Sequence, residues 1–323
     1  MKQRVIVLTN LLDLPMETRI ELDQNPELEM VWKHSKSLTE EDFDKTVAVI
    51  GNTKVEILKK FQNLQWVQLY SAGTNGYTDA DFPKGVHLTN ATGSYGMAIS
   101  EHMVAQTLLL QKKFHVYLDK QRHEDWSHEK GIIKSIYGST VIIVGLGDIG
   151  TAFAKHIKAM GGYVIGIKRR IYGDEKYVDE VYTINELDDI LERGDVVATS
   201  VPGTSETYRM FNASRFQKMK HDAIFLNVGR GTSVDLEALC DALEQDKLWG
   251  AHLDVTDPEP LPKGHRAWTT PNLVITPHVS GNFYLEETLN RFLEITKQNL
   301  ENFAQGKPLI NEVDFETGYK KRT

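Results

Sequence analysis

The sequence predicts an α/β protein built from doubly wound parallel sheets. Short apolar runs recur along the chain with helical patterns between them, at residues 5–8, 29–32, 47–50, 67–70, 141–144, 163–167, 196–201, 223–228, 251–255 and 273–277. Many of these runs are apolar on both faces and rich in β-branched residues, which is typical of parallel strands covered by helices on two sides. A length of 323 residues favours two domains over one.

Two long helical patterns indicate where the domains divide. One covers residues 95–126 and is expected to be a long helix that bridges two domains or forms a dimer face; the other covers residues 285–305. The expected organisation is discontinuous. Residues 1–98 with 285–323 form a flavodoxin-like substrate-binding domain, and residues 99–284 form a Rossmann-like dinucleotide-binding domain. A cleft between two such domains is the expected ligand site.

Composition narrows the class of partner and the compartment. With 37 basic and 45 acidic residues the formal net charge is −8, which disfavours binding to nucleic acid or to an anionic membrane. The single cysteine, Cys240, excludes an intramolecular disulfide and fits a reducing compartment. The chain has no apolar run of about 18 residues, so a membrane span is not expected. We therefore expect a cytoplasmic protein.

A glycine-rich turn predicts a dinucleotide site. The strand at 141–144 runs into Gly145-Leu146-Gly147-Asp148-Ile149-Gly150, a helical pattern follows, and a second strand comes next. A G-x-G-x-x-G motif by itself also occurs in ordinary tight turns, but in this setting its glycines permit the turn, the close approach of a pyrophosphate and tight packing of helix on sheet. We expect Gly145, Gly147, Asp148, Ile149 and Gly150 to contact the cofactor through the start of that helix.

Three consecutive cations end the second strand. NAD-specific sites usually place an Asp or Glu there for the ribose hydroxyls, whereas this chain has Lys168, Arg169 and Arg170. Cations at this position attract a 2′-phosphate, so the sequence favours NADP(H), with NAD as the alternative and Arg169 as the main contact. The competing interpretation is a solvated positive turn without a ligand.

Three loops at the ends of later strands carry candidate catalytic side chains. Arg230 lies between two glycines, where a guanidinium could bind a carboxylate bidentately or join two loops by a salt bridge. His278 follows Pro277 and could act as general acid or base on a carbonyl or hydroxyl oxygen, although a lone histidine is more often structural. Glu259, in a proline-flanked loop, could support the protonated imidazole, but spacing alone does not establish that pair.

Five motifs in this order resemble the D-isomer-specific 2-hydroxyacid dehydrogenase family. They are GLGDIG (145–150), VP-x-x-x-x-T (201–207), NVGRG (227–231), LDVTDPEPLP (253–262) and TPHVSG (276–281), and the resemblance extends over essentially the whole chain. It implies that Arg230, Glu259 and His278 are the catalytic residues. It also implies that Gly73 and Thr74 offer backbone amides to the substrate carboxylate. The remaining expected cofactor contacts are Val201, Pro202, Thr207, Val228, Gly229, Asp254 and Gly281.

The family resemblance implies an enzyme that reduces a 2-oxo acid with a nicotinamide cofactor and that forms a homodimer through its cofactor domains. The cation cluster favours a glyoxylate/hydroxypyruvate reductase. Phosphoglycerate dehydrogenase is the alternative, although Ile50 and Gly51 stand where such enzymes tend to place an arginine for the substrate phosphate. A dinucleotide-sensing protein of the C-terminal-binding-protein type is a remote alternative. No metal site is expected, and surface or interface positions are expected for the histidines on and beyond the first long helix, His102, His115, His123 and His128.

Overall fold

The structure is a computed structural model that describes residues 2–10, 14, 16–78, 81–129, 133–283 and 285–321. Its strands, in chain order, are β1 (Gln3–Leu8), β2 (Leu28–Lys33), β3 (Thr46–Ile50), β4 (Trp66–Gln68), β5 (His87–Thr89), β6 (Thr140–Val144), β7 (Tyr163–Lys168), β8 (Glu180–Thr183), β9 (Val196–Thr199), β10 (Ala223–Asn227), β11 (Leu248–Leu253), β12 (Leu273–Ile275), β13 (Val313–Asp314) and β14 (Tyr319–Lys320).

Helices separate most of these strands. They are α1 (Met16–Leu22), α2 (Glu40–Lys45), α3 (Val55–Leu58), α4 (Gly96–Gln111), α5 (Phe114–Arg122), α6 (Asp148–Ala159), α7 (Leu187–Ile190), α8 (Ala213–Lys218), α9 (Leu236–Glu244) and α10 (Glu286–Ala304). The chain divides into two compact units, Met1–Tyr95 with Phe283–Thr323 and Gly96–Asn282. Among the described helices, none combines the length and the apolar character needed to span a bilayer.

The first unit contains a five-stranded parallel sheet in the order β2-β1-β3-β4-β5. This is the 2-1-3-4-5 order of doubly wound flavodoxin-like sheets. The last four residues of β1, VIVL, are all buried, because the strand lies in the interior of a sheet that is covered on both faces. The short antiparallel pair β13 and β14 also belongs to this unit.

The second unit contains a seven-stranded parallel sheet in the order β12-β11-β10-β9-β6-β7-β8. Counted from β6 as the unit's first strand, the order is 3-2-1-4-5-6-7, which is the Rossmann order with one strand added. The strand order reverses between β6 and β9. In open α/β sheets, ligands bind at such a reversal, beyond the carboxyl ends of the strands. The predicted α/β class with parallel sheets is therefore confirmed.

The prediction of one long helix across 95–126 is wrong. The described residues form α4 and α5 instead, and Lys113 between them has a φ of 56° in the left-handed region. This conformation interrupts the helical hydrogen-bond pattern and turns the chain. Phe114, Leu118 and Trp126, which follow the break, are exposed. The predicted helix over 285–305 is confirmed as α10.

Candidate active site

The glycine turn after β6 has the backbone shape that a dinucleotide site needs. Gly145 has a φ of 98°, and a Cβ atom on Gly150 would lie 1.9 Å from the carbonyl oxygen of Gly145. The first and third glycines are thus required by the turn and by its packing. A Cβ on Gly147 would meet no described heavy atom within 4 Å, so this glycine faces open space. The first-turn N–H groups of α6 have no intrahelical acceptors, and the turn therefore fits a pyrophosphate.

Asp148 begins α6 and also holds the start of another helix. Its carboxylate oxygen Oδ2 accepts the backbone N–H of Gly96 at 2.8 Å, where α4 begins. The side chain of Asp148 therefore has a structural partner within the unit. The predicted cofactor contacts of Asp148 and Ile149 rest on their backbone N–H groups in the first turn of α6.

The cations that follow β7 are in different environments. Lys168 donates from Nζ to Glu175 Oε1 at 2.8 Å, and the Glu175 carboxylate also accepts the N–H groups of Tyr172 and Gly173, both at 2.9 Å. Hydrogen bonds from Lys168 and then from the Tyr172 amide lower the pKa of Glu175 to about 2. The charge of Lys168 is therefore balanced inside the loop, while Arg169 and Arg170 are exposed.

The loop after β9 borders the glycine turn. A Cβ on Gly145 would lie 3.3 Å from Val201 Cγ1. Thr207 is buried, donates its hydroxyl proton to the carbonyl oxygen of Pro202 at 2.6 Å, and accepts the N–H of Thr204 at 2.9 Å. The three residues predicted to line a cofactor groove, Val201, Pro202 and Thr207, thus lie in one internally braced loop.

Asn227 organises the loop that carries Arg230. It is fully buried at the end of β10, donates from Nδ2 to the carbonyl oxygen of Arg230 at 2.9 Å, and accepts the N–H of Gly229 at 3.0 Å. The Arg230 guanidinium donates to the carbonyl oxygen of Gly229 at 2.8 Å. This role of Asn227 was not predicted, although an Asn before a glycine-containing turn often forms side-chain hydrogen bonds with the local backbone.

The loops after β9, β10 and β11 pack backbone against backbone. A Cβ on Gly229 would lie 2.4 Å from the carbonyl oxygen of Val201, and one on Gly231 would lie 2.0 Å from the carbonyl oxygen of Thr256. The glycines on either side of Arg230 therefore allow its loop to contact both neighbours. One of these neighbours is the loop that continues to Glu259.

Glu259 and His278 form a hydrogen-bonded pair. His278 Nδ1 lies 2.6 Å from Glu259 Oε1, and the side chains are 50% and 43% exposed. With the Nδ1 proton directed at the carboxylate, Nε2 remains as the ring nitrogen for proton transfer. His278 has a φ of 52°, and its N–H donates to the carbonyl oxygen of Asp254 at 2.9 Å.

Asp254 fixes the loop that carries His278. Its Oδ1 accepts the Thr276 hydroxyl at 2.5 Å and the Val279 N–H at 3.0 Å, and its Oδ2 accepts the N–H and the hydroxyl of Ser280. Burial of Asp254 disfavours its charged form, but the Ser280 and Thr276 hydrogen bonds outweigh this and lower its pKa. An ionised Asp254 therefore holds Thr276, Val279 and Ser280, which lie on both sides of His278 in the loop.

In the first unit, the predicted carboxylate-binding loop is held by side chains around it. The Ser71 hydroxyl donates to the carbonyl oxygen of Gly73 at 2.7 Å, and the buried Thr74 donates its hydroxyl proton to the carbonyl oxygen of Gly318 at 2.9 Å. Asn52 donates from Nδ2 to the Ser71 hydroxyl at 3.0 Å. These hydrogen bonds use the oxygen atoms of Gly73 and Thr74. The backbone N–H groups of the two residues donate to none of the described residues.

Comparison with known proteins places this geometry in a family. Residues 104–280 match the sequence profile of "D-isomer specific 2-hydroxyacid dehydrogenase, NAD binding domain". The chain belongs to the D-isomer specific 2-hydroxyacid dehydrogenase family. The family resemblance noted from the motifs and the predicted class of enzyme are both confirmed: the protein is a D-2-hydroxyacid dehydrogenase that uses a nicotinamide dinucleotide.

Three relatives illustrate the similarity. The chain is 32% identical to a glyoxylate reductase of Thermofilum pendens over 78% of its own length and 75% of that protein. A family member of known structure from Aeromonas salmonicida is 30% identical, with a TM-score of 0.83 and coverage of 97% and 100%. The NADPH-dependent glyoxylate/hydroxypyruvate reductase of Sinorhizobium meliloti, solved with NADP and sulfate, is 26% identical, with a TM-score of 0.83 and coverage of 98% and 100%.

Two histidines, His102 and His252, form a pair close to Asp254 in the dehydrogenase. This pair was not predicted from the sequence. His252 is fully buried, and its Nε2 is 3.3 Å from His102 Nε2 and 3.0 Å from the Thr276 hydroxyl oxygen. Burial, and then the neighbouring His102, lower the pKa of His252 to about 3. His102 itself is half-buried, and β11 places a second imidazole against it.

His102, His252 and Asp254 each offer one possible ligand atom, and these three atoms lie within 4.8 Å of one another. This spacing is close enough to suggest a metal site. The donor set does not fit a metal. Both oxygens of Asp254 already accept hydrogen bonds from the 276–280 loop. A metal on His252 Nε2 would put the proton on Nδ1, which is buried without an acceptor among the described residues.

Proposed function

We propose that this dehydrogenase reduces small 2-oxo acids with NADPH, as a reductase of the glyoxylate/hydroxypyruvate type. The observation that carries the proposal is the 2.6 Å contact between His278 and Glu259 on a loop that Asp254 fixes, because it provides an oriented proton donor. The unit Gly96–Asn282 would hold the cofactor, and the unit of 1–95 with 283–323 would contribute to substrate binding.

The cofactor would be held by the residues that surround the carboxyl ends of β6, β7 and β9 to β11. They are Gly145, Gly147, Asp148, Ile149, Gly150, Arg169, Arg170, Val201, Pro202, Thr207, Val228, Gly229, Asp254 and Gly281. When bound, NADPH supplies a hydride to C2 of the 2-oxo acid. Lys168, which pairs with Glu175, would act through the loop rather than on the phosphate.

The substrate would be held by cationic and backbone donors. The Arg230 guanidinium would bind the carboxylate and polarise the 2-oxo group, and the amides of Gly73 and Thr74 would provide further carboxylate contacts. His278 would then donate its Nε2 proton to the oxygen at C2. Glu259, bound to Nδ1, would stabilise the positive charge of the imidazole before that transfer.

Preference for NADPH follows from the chemistry at the end of β7. The residue that closes the strand is Lys168, and two exposed guanidiniums follow it. The carboxylate of Glu175 contacts this segment, where it accepts hydrogen bonds from Lys168 and from two loop amides. A 2′-phosphate bound beside this loop would therefore meet the exposed guanidiniums of Arg169 and Arg170. The NADP-bound relative from Sinorhizobium meliloti agrees with this preference.

Residues 50 and 51 in the first unit bear on the size of the substrate. In phosphoglycerate enzymes an arginine is expected near residues 50 and 51. Here Ile50 is buried, and Gly51 has a φ of 126° with an implied Cβ only 2.8 Å from Leu8 Cβ. No phosphate-binding side chain fits at either position, so we favour glyoxylate or hydroxypyruvate over a phosphorylated acid. The glyoxylate reductase from Thermofilum pendens supports the same choice.

A matrix of initial rates tests the proposal. NADH and NADPH are each combined with glyoxylate, hydroxypyruvate, pyruvate, phenylpyruvate and 3-phosphohydroxypyruvate. We expect the highest kcat/KM for NADPH with glyoxylate or hydroxypyruvate. Equal rates with NADH would contradict the cofactor assignment, and a preference for 3-phosphohydroxypyruvate would favour phosphoglycerate dehydrogenase. Cofactor binding without turnover of any acid would favour a dinucleotide-sensing protein.

We also propose a homodimer formed through the cofactor unit. Phe114, Leu118 and Trp126 follow the Lys113 break and are exposed, and no residue of α5 is buried. Exposed apolar side chains concentrated on one segment are typical of a protein interface. Light scattering after gel filtration should give twice the mass of 36.6 kDa, and Leu118→Glu with Trp126→Ala should shift the protein toward the monomer.

A further inference from the structure

The segment after β7 is closed into a loop by an ion pair. Lys168 and Glu175 are seven residues apart, and their side chains are only 15% and 4% exposed, although the residues between them are exposed. The Lys168 ammonium group also lies 5.3 Å from the centre of the Tyr172 ring. These contacts join the end of a rigid strand to the far side of the loop.

Glu175 satisfies three donors with one carboxylate. Oε1 accepts from Lys168 at 2.8 Å and from the Tyr172 amide at 2.9 Å, and Oε2 accepts from the Gly173 amide at 2.9 Å. Charge-assisted hydrogen bonds of this kind are stronger than neutral ones. The low pKa of Glu175 agrees with a carboxylate that stays ionised throughout the physiological range.

The arrangement separates the three cations into two groups. Lys168 is neutralised by Glu175, so its charge organises the loop. Arg169 and Arg170 lie within the loop that the pair closes, and both are exposed. A long guanidinium side chain on an unrestrained loop loses conformational entropy when it binds a phosphate, and closing the loop in advance reduces that loss.

We propose that Glu175 is a positioning residue for cofactor choice, which fixes the 168–175 loop so that Arg169 and Arg170 are presented to the 2′-phosphate of NADPH. This inference rests on the proposed NADPH preference. It adds that the preference depends on a buried acid seven residues beyond the strand and not only on the cations. It also assigns Lys168 to the loop and not to the phosphate.

The test uses binding and does not require turnover. Calorimetry measures the Kd of adenosine 2′,5′-bisphosphate, which carries the 2′-phosphate, and of 5′-AMP, which lacks it. The variants are Glu175→Gln, Lys168→Met and the double variant. The matched control is Glu180→Gln. Glu180 lies on β8, outside the loop, and pairs with Arg193. Its pKa is likewise lowered to about 2.

We expect Glu175→Gln and Lys168→Met each to weaken binding of adenosine 2′,5′-bisphosphate roughly tenfold, because each breaks the same charge-assisted contact. The double variant should bind about as weakly as either single variant. Affinity for 5′-AMP should stay within about twofold in all of them, which also shows that the variants are folded. Glu180→Gln should leave both affinities unchanged although it removes the same charge.

Other results would overturn the inference in distinguishable ways. If the unaltered protein binds both nucleotides equally, the proposed NADPH preference fails and the inference fails with it. If the unaltered protein prefers the 2′-phosphate but Glu175→Gln keeps that preference, only the inference fails. If Glu175→Gln strengthens the preference, the inference also fails, and the result would indicate that Lys168, released from Glu175, binds the phosphate directly. A parallel loss of affinity for both nucleotides would show a general structural role for Glu175.

Discussion

Replacing Glu259 by Gln tests whether the carboxylate beside His278 supports proton donation. The side chain keeps its size, but the 2.6 Å contact to Nδ1 loses its charge. Hydrogen bonds to charged groups contribute about 1.5–3 kcal/mol, and we take the lower half of that range because both side chains are about half exposed. At about 1.4 kcal/mol per factor of ten, kcat should fall roughly ten- to fortyfold.

The assay is steady-state reduction of the best 2-oxo acid at saturating cofactor, with KM for each substrate measured separately. Because Glu259 contacts His278, the proposed proton donor, KM for NADPH should change less than about twofold. Asp257→Asn is the matched control, since it removes an exposed carboxylate from the same loop. A fall in kcat of less than twofold for Glu259→Gln, or an equal fall for Asp257→Asn, would refute the reasoning.

Three further predictions concern the turn and the residues around Asp254. Gly150→Ala should destabilise the protein by about 1–3 kcal/mol in urea unfolding, because the new Cβ meets a backbone oxygen at 1.9 Å, whereas Gly147→Ala should leave stability unchanged and weaken NADPH binding. Asp254→Asn should lower kcat at least tenfold, measured at saturating substrates, because an amide nitrogen cannot accept the donors of the 276–280 loop. His252 binds a proton in the unfolded chain below pH 6.5 but not in the folded one until about pH 3, so acid favours unfolding. Between pH 7.5 and 5.0 the unaltered protein should therefore lose about 2 kcal/mol more stability than His252→Gln.

The sequence predicted the interior strands better than the edges of the sheets. Strands such as β6 and β10 read as continuous apolar runs because both of their faces are covered. Two edge strands, β5 and β8, were not predicted, although the edge strands β2 and β12 were. β5 has only three residues, and β8 has the sequence EVYT with every residue half-buried, so neither carries the apolar run of an interior strand.

The interruption between α4 and α5 could not be predicted, because the residue in the left-handed region is Lys113 and not a glycine or asparagine. Neither Pro nor Gly marks the break. The sequence also could not predict which side chains contact Lys168 and His102. Glu175 approaches Lys168 only because the loop turns back, and His252 approaches His102 only because β11 lies beside α4 in the folded unit.

Carboxylates at the strand ends show why residue type alone does not assign a role. Each of four acids near the carboxyl ends of the second sheet has a different partner: Asp148 binds the start of α4, Glu175 binds Lys168, Asp254 binds the 276–280 loop, and Glu259 binds His278. Three of these acids accept backbone N–H groups, whereas Glu259 contacts the side chain of His278, the proposed proton donor. In the proposed mechanism, one carboxylate therefore supports proton transfer, while the other three fix the backbone around the site. Neutralising Glu259 should alter turnover alone, whereas neutralising Asp254 or Glu175 should alter the loop that each one holds.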